Sequence, residues 1–389
     1  MASQTPPAKP ADGQGSAAID NDVLYEILLR LPAKPLCRFR AVCRSWMSLL
    51  SAPSLIAAHK VRQAVPLLVV RDRKNDGSTV SVHILDILSG QSVRQIRVEN
   101  NPWPFINSTM VLMGVPHDLP LVRLPGIDSG LRLRVLDPAT ATVFALPHVD
   151  HGKQQPYRKS FMVGRASTGA YKVLCIGTCM SILDRHQVCR VLTLSHNNGW
   201  RETGCPPAEV KTFHRQDGAA VKGVAYFLSS TNKCIVAYDL EKEAWETVSL
   251  PAPVPSREQV INHSLAELGG CLALAYEDCT FLELWLLVDP GKVIWSKRCT
   301  ITVPYCCKGV QDSILPVYLS EPLWLLDDGR IIFWISMTGP QLTNEVLCTY
   351  DPRTMAYTDV ADMSIYRIGG VFTGSMLGRE NSHLLHRGG

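Results

Sequence analysis

The sequence predicts an α+β multidomain chain: a short N-terminal three-helix unit, then a mostly antiparallel, all-β, propeller-like domain of about six units. Three observations lead there. Apolar residues recur at helical spacing between residues 19 and 63. A strand–turn–strand pattern then returns about every 50 residues along the rest of the chain. Gly 27 and Pro 26 in 389 residues favour many turns, hence many strands.

Composition bounds the answer further. At 46% apolar and 19% charged, the chain can bury a sizeable core and is not disordered as a whole. The longest apolar run, Leu282–Val288, contains Glu283 and falls far short of the ~18 residues of a membrane span, so no membrane role is expected. Residues 1–18 hold Pro, Gly, Ser and Ala with no apolar stretch, and read as a flexible tail rather than a signal peptide. Thirteen cysteines without a secretory signal indicate a reducing compartment, cytoplasm or nucleus or both. The net charge of +4 is uneven: residues 19–63 carry seven basic and three acidic groups, which accounts for all of it. A basic segment suits an acidic partner.

Within residues 19–63, Asp20, Asn21 and Asp22 suit a helix N-terminus. Val23, Leu24, Ile27, Leu28 and Leu31 then form one helical stripe, which Pro32 ends. Pro35 can open a second helix, with Leu36, Phe39, Val42, Cys43, Trp46, Leu49 and Leu50 at the same spacing. After a break at Ser51–Pro53, a third short helix is expected to run to Val61. Three short helices cannot bury that much Leu, Phe and Trp by themselves. The surplus must cover the following domain or a partner, and spacing leaves both open.

The residues resemble an F-box, the adaptor-binding motif of SCF-type ubiquitin ligases. The matching pattern is Leu24-x-x-Ile27-Leu28-x-x-Leu31-Pro32, Leu36-x-x-Phe39-x-x-Val42-Cys43-Arg44-x-Trp46-x-x-Leu49, then Pro53 and His59. One departure is at the start, where the family usually has Leu-Pro and this chain has Ile19-Asp20. The resemblance implies docking on an acidic Skp-type adaptor, and through it on cullin and RING subunits. It also implies that Leu24, Leu28, Leu31, Pro32, Leu36, Val42, Cys43 and Trp46 build that interface or the packing behind it.

Residues 64–389 repeat a strand, a turn, a second strand with an aromatic or β-branched residue, and often a Pro. The turn positions are Asp86, Asp137, Ser195, Asp239, Asp289 and Asp351. Leu131, Leu133 and Val135 alternate with Arg132 and Arg134, which gives one buried and one wet face. Asp-Pro at 137, 289 and 351 forms turns, since Asp caps them and Pro presets φ. Trp245, Trp295 and Tyr357 each lie six residues after a turn Asp and are expected in equivalent places between sheets. Gly223, Gly270 and Gly329 open further strands. Arg367–Leu377 is expected to return, complete the first sheet and close the ring. The region resembles the F-box-associated domain of plant F-box proteins, related in shape to kelch propellers.

Little catalytic chemistry is visible. There is no G-x-S-x-G, P-loop or dinucleotide fingerprint, and no cofactor is expected. Cys175, Cys179, His186 and Cys189 are four potential zinc ligands, but their spacing is not that of a standard site and the thiols suit a strand core. No metal is therefore expected. The basic helices lack base-reading polar side chains, so no nucleic acid is expected. The sequence thus points to a non-catalytic substrate receptor of an SCF-type ligase, with an unknown target held by the β domain. Loops 73–79, 99–109, 150–160 and 252–262 are the expected specificity elements. The alternative is an enzyme or lectin on a propeller scaffold, capped by the helices.

Overall fold

A computed structural model describes residues 20–31, 33–62, 66–73, 79–99, 111–113, 121–125, 131–138, 141–150, 156–180, 185–194, 199–212, 214–252, 262–277, 281–302, 317–338 and 343–373. The N-terminal unit holds α1 (Asn21–Arg30), α2 (Ala33–Phe39), α3 (Arg44–Leu50) and α4 (Pro53–Arg62). The Asp20 side chain accepts from the Asp22 amide as N-cap of α1. The expected second helix arrives as two, α2 and α3. At the break, Ala41 and Val42 amides reach back only three residues, to Arg38 and Phe39. The Arg40 guanidinium leaves its helix to donate to the Leu50 carbonyl at 2.7 and 3.3 Å. The bend lets Phe39 and Trp46 meet edge to face at 5.4 Å.

The remaining described strands form six four-stranded antiparallel sheets. Blade 1 comprises three strands from residues 67–99 plus the returning strand Tyr366–Phe372. Blades 2 to 6 span 111–145, 158–203, 218–249, 262–302 and 317–362. The innermost strands pack side by side around the axis: Arg158–Arg165, Gly218–Val221, Asn262–Leu268, Val317–Leu325, Tyr366–Phe372 and Val111–Met113. The expected ring closure is present, since Leu67–Phe372 through Asp72–Tyr366 are antiparallel partners. That pairing removes the edge that the strand Leu67–Asp72 would otherwise present.

Among the described residues, blades 1, 4, 5 and 6 repeat the same Asp-capped turn between their third and fourth strands, and the sequence repeat falls on it. Asp86 Oδ1 accepts from the Leu88 and Ser89 amides, at 3.0 and 2.9 Å. Asp239, Asp289 and Asp351 accept from the Glu241 and Lys242, Lys292, and Arg353 amides, at 2.8 to 3.1 Å. Ser195 lies outside the described residues. Four residues after each turn Asp the backbone is left-handed: Gly90, Ala141, Glu243, Val293 and Met355 have φ between 53° and 67°. Gly90 suits this twice over, because a Cβ there would meet the Ala361 Cβ of blade 6 at 2.4 Å. The other four hold a conformation that a side chain disfavours. Met355 is 76% exposed, so its side chain contributes little packing. Met355→Gly should therefore raise unfolding stability by up to about 1 kcal/mol, read by urea denaturation; a loss of stability would contradict the strain.

In blades 3, 4 and 5 a Trp at the start of the fourth strand ties the blade to the one before. Indole N–H groups of Trp200, Trp245 and Trp295 donate to the carbonyls of Pro147, Gly204 and Ser249, at 2.9, 2.5 and 2.9 Å. Tyr357 occupies the matching place in blade 6, its ring tilted against Tyr350 at 4.9 Å as Trp245 is against Tyr238 at 4.7 Å. Apolar clusters fill the spaces between blades, one of them joining Leu228, Ile235 and Leu272, Leu274 across blades 4 and 5.

Antiparallel order sorts the connections by face. Turns within the first-to-second and third-to-fourth strand pairs lie on one face of the ring. Second-to-third loops and blade-to-blade loops lie on the other. All four expected specificity loops belong to this second face, although their central residues fall outside those described. The strand after α4 is the second of blade 1, so the helical unit leads into the ring from the turn face.

Candidate docking surfaces

The helical unit has a core of its own. Leu28, Leu29, Leu36, Leu50, Leu55 and Ile56 are buried together, with Leu24, Leu31, Phe39, Trp46 and Leu49 half-buried around them. Among the described residues, no strand residue joins that cluster. Buried His59, on α4, donates its Nε2 hydrogen to the Leu31 carbonyl at 2.9 Å, so α4 satisfies a group left open at the end of α1. Burial lowers the His59 pKa despite that bond, which favours the neutral ring. Arg62 pairs with Glu26 at 2.6 Å and fastens the same two helices from outside.

The eight motif residues divide accordingly. Leu28 and Leu36, at 1% and 0% exposed, are interior packing. Leu24, Leu31 and Trp46 lie at the margin of the core. Val42 and Cys43 are exposed, Val42 at 64%. Pro32 lies outside the described residues. The structure adds three exposed apolar side chains that the motif reading left unassigned: Val23 and Ile27, one turn apart on α1, and Met47 on α3. Exposed Arg30, Arg38 and Arg44 accompany them. The unit therefore combines uncovered apolar side chains with positive charge, the combination that an acidic, partly apolar partner surface satisfies. A signal for Val23 and Ile27 was present, because a stripe containing both 23/27 and 24/28 is wider than one small core can bury.

The Cys–His group of blade 3 is packing. Cys179 stands opposite His186, and Cys175 opposite Arg190. Burial pushes the Cys175 thiol up to about 12 and raises Cys189 as well. Cys175 packs into the core shared with blade 2 and Cys189 into the core shared with blade 4, so the sheet separates them. On the turn face, a cleft of about 620 Å³ between blades 3 and 4 is lined by Arg165, Ser167, Thr168, Lys222 and Gly223. Glu241 bridges its rim, accepting from the Thr168 hydroxyl at 2.7 Å. Among the described residues, no group of three His, Cys, Asp or Glu side chains is placed to hold a metal ion.

Comparison with known proteins decides the family. Residues 78–365 match the family described as F-box associated beta propeller domain, and residues 18–57 match the F-box domain. The chain belongs to the F-box proteins with an associated propeller. F-box protein At3g07870 of Arabidopsis thaliana is 24% identical over 383 residues, covering 90% of this chain and 88% of the relative. F-box/kelch-repeat protein At3g23880 of the same plant is 24% identical, with 79% and 85% covered. Among solved structures, a periplasmic gluconolactonase of Pseudomonas aeruginosa, PpgL, overlaps 77% of this chain and 83% of its own, at 14% identity and a TM-score of 0.44. The F-box match covers α1 to α3 and the first half of α4, and the propeller match covers the ring apart from the strands Leu67–Asp72 and Tyr366–Phe372.

Proposed function

We propose that this F-box protein is the substrate-recognition subunit of an SCF-type ubiquitin ligase. Its F-box docks a Skp-type adaptor, and through it cullin and RING subunits, while the propeller holds a target protein for ubiquitination. One observation carries the reading: the F-box completes its own core and still leaves Val23, Ile27, Val42 and Met47 exposed, at 51, 46, 64 and 51%. Apolar side chains held outward by a separately packed unit are suited to a partner rather than to the chain's own sheets. Family membership supports the same reading.

No catalytic residue is required for this role. Holding a target beside a charged ubiquitin carrier raises the effective concentration of its lysines, and that proximity is the rate contribution. The opposed faces of the ring suit this division of labour. The F-box leads in from the turn face, and the blade-to-blade connections leave from the other. Work in the cytoplasm, the nucleus or both is part of the proposal. The purified chain and a purified Skp-type adaptor should form a one-to-one complex in isothermal titration calorimetry at micromolar concentration. Absence of heat and of co-elution at that concentration would remove the proposal.

A further inference from the structure

Three arginines converge where blades 6 and 1 meet, on the face of the blade-to-blade connections. Arg71 lies near the end of the strand Leu67–Asp72, and Arg367 stands directly opposite it on the innermost strand. Arg73 follows, and its guanidinium pairs with Glu345 of blade 6. Like charges directly opposite one another on neighbouring strands repel. Burial makes this worse. Arg71 is 6% exposed, and its Nη1 donates to the Asp72 carbonyl at 3.1 Å. Burial, then Arg367 and Arg73, push the Arg71 pKa down to about 10, with Glu345 alone opposing them. Buried Arg73 Nε has no hydrogen-bond partner among the described residues. The nearby Asp72 carboxylate faces His83 Nε2 instead, at 3.0 Å.

Charge counting gives the consequence. Three guanidinium groups stand against two carboxylates, Glu345 and Asp72, which leaves one positive charge at a partly desolvated site. Glu345 is itself buried, at 4% exposed, and burial raises its pKa although Arg73 and Arg367 pull it down. It cannot neutralise the group alone. Arg367 is exposed on the innermost strand, so the cluster has an open side. Guanidinium forks fit the oxygens of phosphate and carboxylate two at a time, and a low-dielectric setting strengthens the attraction.

We propose that Arg71, Arg73 and Arg367 form a receptor for an oxyanion on the target protein, a phosphate monoester or a side-chain carboxylate. Arg367 makes the direct contact, and buried Arg71 with half-buried Arg73 supplies the field behind it. This deepens the reading of the propeller as the target-holding part and rests on it.

The test uses the full chain and three labelled degenerate nonapeptide libraries, with phosphoserine, serine or glutamate at the centre. Fluorescence anisotropy should show the phosphoserine library binding at least tenfold more tightly than the serine library at about 0.1 M salt, with the difference shrinking as salt rises. Arg367→Gln should erase the difference without moving the melting temperature, and Arg367→Glu should do the same. Glutamate matching phosphoserine would make acidic side chains the source of the anion; phosphoserine alone would make it phosphate. Equal binding of all three libraries, or a preference that survives both substitutions, overturns the proposal. Adaptor titration of the same protein keeps the two readings apart. Adaptor binding without anion preference defeats this site only, whereas absence of adaptor binding defeats the receptor role whatever the peptides do.

Discussion

Ile27→Asp, Val42→Asp and Met47→Asp together should lower adaptor affinity at least a hundredfold and leave the propeller's unfolding transition where it was. Central interface side chains typically contribute about 2 kcal/mol or more each, and about 1.4 kcal/mol is a factor of ten. All three side chains are outside the F-box core, at 46, 64 and 51% exposed, so the fold should lose only about 0.5 kcal/mol per site. Leu36→Ala is the control of opposite kind. Leu36 is 0% exposed within the F-box core, and its truncation should cost about 2–5 kcal/mol and melt the unit. Calorimetric titration with the adaptor, paired with circular dichroism, separates the two outcomes. Unchanged affinity in the triple variant would place the docking face elsewhere.

The second large effect concerns closure. Deleting residues 366–389 should lower the melting temperature by roughly 10 °C or more and cause aggregation. The deletion strips the strand Leu67–Asp72 of its partner from Leu67 to Asp72. It also removes buried Val371 and Phe372 and uncovers Leu68, Val69 and Val70, each 0% exposed in the closed ring. A blade that loses its innermost strand also loses its contacts with blades 2 and 6 around the axis. Differential scanning calorimetry and light scattering would report both consequences. A shortened chain with an unchanged transition would mean that the terminal strand contributes little to the ring.

Much of the propeller was legible because its turn chemistry is local. An Asp stands at five of the six turns, and an aromatic residue six positions later marks three of them. Closure was legible because the returning segment is apolar and comes after the sixth turn. The left-handed residues were not legible. Ala141, Glu243, Val293 and Met355 carry no mark of φ near +55°, since the turn geometry imposes it against their preference. In the F-box, spacing named the motif but could not sort Leu28 and Leu36 from Val42. Burial depends on where the break at Arg40–Cys43 turns α3, and that break is held by a contact ten residues away, Arg40 to Leu50. The arginine cluster was illegible for a similar reason. Arg71 and Arg367 are nearly 300 residues apart in sequence and meet only because the ring closes.

The claim on which the rest depends is that the F-box alone meets the adaptor, from the side of the ring opposite the blade-to-blade connections. Hydrogen–deuterium exchange of the full chain with and without saturating adaptor tests it most directly. The account predicts slowed exchange in α1 to α3 and unchanged exchange in the strands of all six blades. Protection spread over the blade strands, or none in α1 to α3, would contradict it.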